Sequence, residues 1–149
     1  MIYGVVVVPL LFGLILVAQI CWIWHSMVEF TRDGARYAAT HCWQASSQNV
    51  IQYMQANVPA NIDGVQFQAG GSAQINVQYF QRADDGQLQA FGCAVECSTS
   101  CIPDAVTVSV TNYQFQHHAT LLQSISLPAF TGSQAVGTAG CDNTGVCTP

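Results

Sequence analysis

The first 28 positions are apolar on every side. They read MIYGVVVVPLLFGLILVAQICWIWHSMV, with no Asp, Glu, Lys or Arg among them. A helix without a polar face is buried all round, in lipid or among other helices. At a rise of ~1.5 Å per residue this one spans about 42 Å, more than the ~30 Å of a bilayer's hydrocarbon core. Trp22, Trp24 and His25 close the stretch. Aromatic residues there fit either a membrane–water interface or packing within a helix bundle. Between residues 10 and 58 there is no proline, and Gly13 and Gly34 are the only glycines. The pattern therefore predicts one long helix to about Asn57. Pro9, which lacks an N–H for the carbonyl four residues back, bends or loosens it. Pro59 ends it.

After residue 28 the apolar positions narrow to one stripe. Ala35, Ala38, Ala39, Cys42 and Trp43 recur at spacings of three and four, and Val50, Ile51, Met54 and Val58 continue the stripe. Residues 29–58 thus read as the amphipathic part of the same helix, laid against a sheet. Strand patterns follow. Val65, Phe67 and Ala69 alternate with Gln66 and Gln68; Gly70-Gly71 is a turn; Ile75, Val77 and Tyr79 alternate with Gln74, Asn76 and Gln78. This predicts a hairpin. Asp84-Asp85-Gly86 marks a further turn, and residues 86–104, with three cysteines and little periodicity, form a stapled loop. Residues 105–116, AVTVSVTNYQFQ, carry the strongest strand signal. Val106, Val108, Val110 and Asn112 share one face and Thr107, Ser109 and Thr111 the other. Residues 119–127 fit a short helix or an irregular strand, and residues 130–136 fit a last strand. The fold class is α+β: residues 1–28 are an assembly or transmembrane part, 29–58 continue that helix, and 59–149 form a small β-rich head.

Composition narrows the function. About 120 of the 149 residues lie outside the apolar stretch, enough for one domain. Charged residues make up 7% of the chain, against ~25% in ordinary soluble proteins. Arg32, Arg36 and Arg82 are the only cations and there is no lysine. No basic patch exists for nucleic acid or for anionic lipid. Two of the three cations sit just past the apolar stretch. Glu29 with Arg32, and Asp33 with Arg36, are three apart and pair for a few tenths of a kcal/mol. They read either as a solvated stem or, since two of only three cations are concentrated there, as a contact between neighbouring subunits, the reading preferred here. The apolar stretch lacks the basic start and small-residue cleavage site of a cleaved secretory signal; the expectation instead is that Met1 follows a processing cut.

Cysteine usage sets the compartment. Cys42, Cys93, Cys97, Cys101, Cys141 and Cys147 lie outside the apolar stretch, and Cys21 lies within it. Six such cysteines imply up to three disulfides, with 15 connectivities, in an oxidising environment. Cys141 and Cys147 make the natural local pair, and Cys21 is left free. The C-x3-C-x3-C run of Cys93, Cys97 and Cys101, with His117 or His118, is the zinc alternative. Its spacing is not the usual C-x2-C, and adjacent histidines on a strand point to opposite faces. His25 and His41 lie on the long helix without an assignable carboxylate. No C-x-x-C-H, G-x-S-x-G, H-E-x-x-H or phosphate-binding glycine loop occurs. The expectation is no catalytic centre, no metal and no cofactor.

Residues 31–40, TRDGARYAAT, resemble the TadE-like family of pilin-like proteins from tight-adherence secretion systems. The family's R-x-G-A-R-x-A motif reads Arg32-Asp33-Gly34-Ala35-Arg36-Tyr37-Ala38 here. The apolar run around Pro9 and the strand of Val106, Val108 and Val110 are also similar. The resemblance implies a structural subunit of an extracellular type IV pilus-like filament. It would sit in the inner membrane before assembly and polymerise with copies of itself through its N-terminal helix. Pro9, Leu14, Trp22, Trp24, Glu29, Arg32 and Arg36 would mark the assembly helix. The alternative is a membrane-anchored minor pseudopilin or binding module that does not itself polymerise. Type IV pilins carry a glutamate near the mature N-terminus; here no acid precedes Glu29.

Overall fold

A computed structural model describes residues 2–115, 124–142, 146 and 147. A long helix, α1 (Ile2–Thr40), carries a small head. A second helix, α2 (Gln48–Ala56), packs on it, and a short 3-10 turn follows at Gly64–Phe67. The strands are β1 (Gln74–Arg82), β2 (Leu88–Ala90), β3 (Ala105–Thr111), β4 (Gln114–Phe115), β5 (Ile125–Ser126) and β6 (Phe130–Ala135). β2-β1-β3-β6 form an antiparallel sheet, and β4 and β5 form a separate pair. This is the expected α+β architecture, a long apolar helix with a disulfide-stapled head.

The head's core lies between the second half of α1 and one face of the sheet. Val106, Val108 and Val110 are wholly buried there, with Met27, Ala35, Ala38, Val50 and Met54. Their period of two on β3, and of three and four on α1, is the pattern that buries one face of each element. The expected last strand forms as Phe130–Ala135, one residue shorter than 130–136, and Asp84-Asp85-Gly86 does turn the chain, joining β1 to β2.

Three expectations are corrected. The single helix to Asn57 is two helices, separated by residues 41–47, so residues 29–58 are not one continuous element. Side chains occupy the carbonyls of the last turn. Thr40 Oγ1 lies 3.1 Å from the carbonyls of both Arg36 and Tyr37, and His41 Nδ1 lies 2.9 Å from that of Tyr37. Partners distant in sequence then hold the connection. Cys42 is bonded to Cys97, the Cys97 N–H donates to the Trp43 carbonyl (3.1 Å), and the Ala45 N–H donates to Glu96 (2.8 Å). Ser47, at φ 51°, turns the chain into α2.

The second correction is the predicted hairpin. Residues 64–67 are a 3-10 turn, and β1 pairs instead with β2 and β3. Asp63 caps the turn by accepting from the Val65 N–H. The buried Gln66 amide replaces strand pairing. Its Nε2 donates to the Gln114 carbonyl (2.8 Å), and its Oε1 accepts from the Gln114 N–H (2.9 Å). Third, Asn112 does not continue the valine face. Its φ of 59° ends β3, and the residue is exposed. His117 and His118, and most of residues 119–127, lie outside the described residues; 125–126 are strand.

All six head cysteines are bonded. Cys42–Cys97, Cys93–Cys101 and Cys141–Cys147 are the pairs, and Cys21 is free and exposed. The three sulfurs of the zinc alternative are therefore consumed by two disulfides. Three disulfides fit an oxidising compartment outside the cytoplasm.

Candidate assembly surface

α1 has two environments along one rod. From Val6 to Gln19 it stands clear of the head, and Cys21 and Trp22 still project from it. Leu10 is 62% exposed, Leu14 63%, Val17 62% and Trp22 65%. Phe12 and Ile15, on other sides of the rod, are exposed as well, so no face is covered. By length and composition this segment is able to cross a membrane; its mean hydropathy reaches 2.6. Exposed apolar surface of that extent is rare on soluble monomers and marks contact with lipid or protein. Pro9 lies inside the helix, in this clear segment.

From Met27 onward the same helix is clamped. Phe30 meets Phe67 edge to face, with ring centroids 5.5 Å apart, and Trp24 meets Phe130 in the same way at 5.0 Å. The two tryptophans thus differ: Trp24 touches the head, and Trp22 projects from the stem. Thr31 is wholly buried and donates its hydroxyl to the Val28 carbonyl (2.9 Å). Two glycines permit the close approach. A Cβ on Gly34 would lie 2.5 Å from Met54 Sδ of α2, and one on Gly132 of β6 would lie 2.7 Å from the Thr31 carbonyl oxygen. At Gly132 the obstacle is backbone, so glycine is what lets the sheet seat against α1; at Gly34 it is the side chain of Met54.

The expected ion pairs form within the helix. Arg32 reaches Glu29 at 2.8 Å and Arg36 reaches Asp33 at 3.5 Å, both largely in solvent. Exposed pairs of this kind contribute a few tenths of a kcal/mol. Glu29 and Asp33 border a cleft of about 240 Å³ between α1 and α2, which His25, Tyr53 and Asn57 also line. The charged collar therefore sits at the junction of stem and head.

Several structurally decisive residues carried no signal in the pattern. Gly132 reads as an ordinary glycine in a strand, and Gln66 as a surface residue of an alternating segment. Tyr79 fits the core face of β1, but its buried hydroxyl has no hydrogen-bond partner among the described residues. Burial pushes that hydroxyl up to about 12. Tyr113 is raised by burial too, although the Asp63 N–H donates to its oxygen at 3.1 Å. No group of His, Cys, Asp and Glu suited to a metal ion occurs among the described residues. Compared with family models, with curated proteins and with solved structures, the chain matches none of them.

Proposed function

We propose that this chain is the structural subunit of an extracellular pilus-like filament, held in the inner membrane before assembly and polymerising through the apolar half of α1. The observation that carries the reading is the change of environment along that helix. The head is complete without the segment from Val6 to Val17, and that segment is exposed on all sides. Such a rod is covered by lipid first, then by the same segment of other copies. The Arg32–Ala38 motif and its likeness to TadE-like proteins support the reading, as do disulfides suited to the cell exterior. A second reading is a membrane-anchored minor subunit or binding module, in which lipid alone covers the exposed segment.

Leu14→Asp separates them. In a bilayer a midpoint charge weakens insertion by ~2.5–3.5 kcal/mol. In a filament core the cost recurs at every subunit, so filaments disappear even where a fraction of the chains inserts. Leu14→Met, which conserves volume, leaves assembly intact. Electron microscopy of material from cells reads the outcome. Filaments of normal abundance from Leu14→Asp, or only detergent-bound monomers from the unsubstituted chain, favour the anchor reading.

A further inference from the structure

The sheet has two open edges. β2 pairs with β1 only from Phe80 to Arg82, and the Phe91 N–H then donates to the Tyr79 carbonyl (2.8 Å). With a period of two, the N–H and C=O of Ile75 and Val77 point to the same side, beyond the reach of β2. At the far edge the Val136 N–H donates to the Asp104 carbonyl (2.9 Å), so even-numbered residues of β6 turn toward β3. Thr131, Ser133 and Ala135 therefore direct their backbone groups outward. None of these outward groups has a backbone partner among the described residues. Natural edges are usually guarded by charge or proline. Residues 74–81 of β1 and the whole of β6 have neither.

Side-chain parity decides how such edges fit together. Ile75 and Val77, outward in backbone, carry their side chains on the core face, while Gln74, Asn76 and Gln78 are exposed. Thr131 and Ser133, also outward in backbone, carry theirs on the exposed face. In an antiparallel joint, residues exchanging bonds lie directly opposite one another with side chains on one face. That would set the core face of one head against the solvent face of the next. In a parallel joint, the bonds from one residue straddle its opposite number. Val77 then stands opposite Gly132 or Gln134, and the core face continues. β1 and β6 run in the same direction, each being antiparallel to β3. A parallel joint is what shifting one head onto the next, without inversion, produces. A cleft of about 530 Å³, bordered by Trp43, Ser47, Val77 and Phe91, lies where the chain after β2 swings away from β1.

Granting a filament of like-oriented copies, as proposed above, we infer that adjacent heads join by sheet continuation, the free edge of β6 in one copy adding in parallel to residues 74–79 of the next. Each head then offers one edge and accepts the other, a heterologous contact that propagates instead of closing.

Cross-linking of the assembled full chain tests this. In a Cys21→Ala background, Asn76→Cys is combined in turn with Thr131→Cys, Ser133→Cys and Ala135→Cys, and filaments are treated with a short bismaleimide. At least one double variant should give a covalent ladder on a denaturing gel, and each single variant should stay monomeric. Ser133→Lys, which guards the β6 edge, should reduce filament yield several-fold while all three disulfides remain intact. Filaments without a ladder from any double variant overturn the joint and leave the filament reading standing. A dimer from Asn76→Cys alone marks a symmetric contact and also overturns it. An unsubstituted chain that forms no filaments removes both proposals.

Discussion

At the scale of single residues, Tyr79 and Gly132 show opposite kinds of constraint. Tyr79 keeps a hydroxyl in the core without a described partner. A buried donor left unpaired costs ~1–3 kcal/mol. Tyr79→Phe is therefore expected to raise stability by about 1 kcal/mol at neutral pH, measured by urea unfolding. The pH dependence has a definite sign. The folded hydroxyl holds its proton up to about 12, whereas the unfolded one releases it near 10. Unfolding releases a proton within that window, so stability, full below pH 10, falls as pH rises toward 12. Tyr79→Phe should flatten this decline, with Tyr113 left to supply the remainder. Alternation along residues 74–79 placed Tyr79 on the core face. Nothing in the alternation could show that its oxygen lacks a partner, because partners come from other elements. Gly132 is the converse case: the need for glycine arises from the Thr31 carbonyl, 101 residues earlier in the chain.

At the scale of elements, those with strong periodicity were legible and those held by distant partners were not. β3, β6 and the buried stripe of α1 follow from alternation and from spacings of three and four. The break at residues 41–47 does not, since it depends on Cys97 and Glu96. The 3-10 turn at residues 64–67 was hidden because alternating Val and Gln read as strand, while Gln66 pairs through its side chain. The exposed apolar stem was legible in position, from an uncharged run; the clamp of Thr31, Gly34 and Gly132 was not. The disulfides differ in what they constrain. Cys42–Cys97 closes 55 residues and Cys141–Cys147 closes 6. On a chain-entropy model the first contributes about 4 kcal/mol and the second about 2. Replacing each pair by alanine should give losses in roughly that ratio in chemical denaturation. Equal losses would show that the loop-closure account does not hold for this head.

At the scale of the whole molecule, stem and head are separable in energy although they share one helix. Core contacts begin with half-buried Ile20 and Ile23 and become complete at Met27. Removal of residues 1–18 should therefore leave a soluble head with its three disulfides and an unchanged melting temperature. A fall of more than a few degrees would mean that the stem supports the head. Two of the chain's three cations, Arg32 and Arg36, each paired with an acid, sit at the collar between the two parts.

The 42–97 crosslink also governs how the molecule bears tension. A pull along the stem that leaves by the C-terminal strands passes from residue 42 straight to residue 97 through sulfur. The segment between them, residues 43–96, stays out of the load path. At ~3.6 Å per extended residue, about 200 Å of chain is thereby locked away from stretching. An oxidised head is a stiff terminal on its rod, and a reductant turns the same head into an extensible tether.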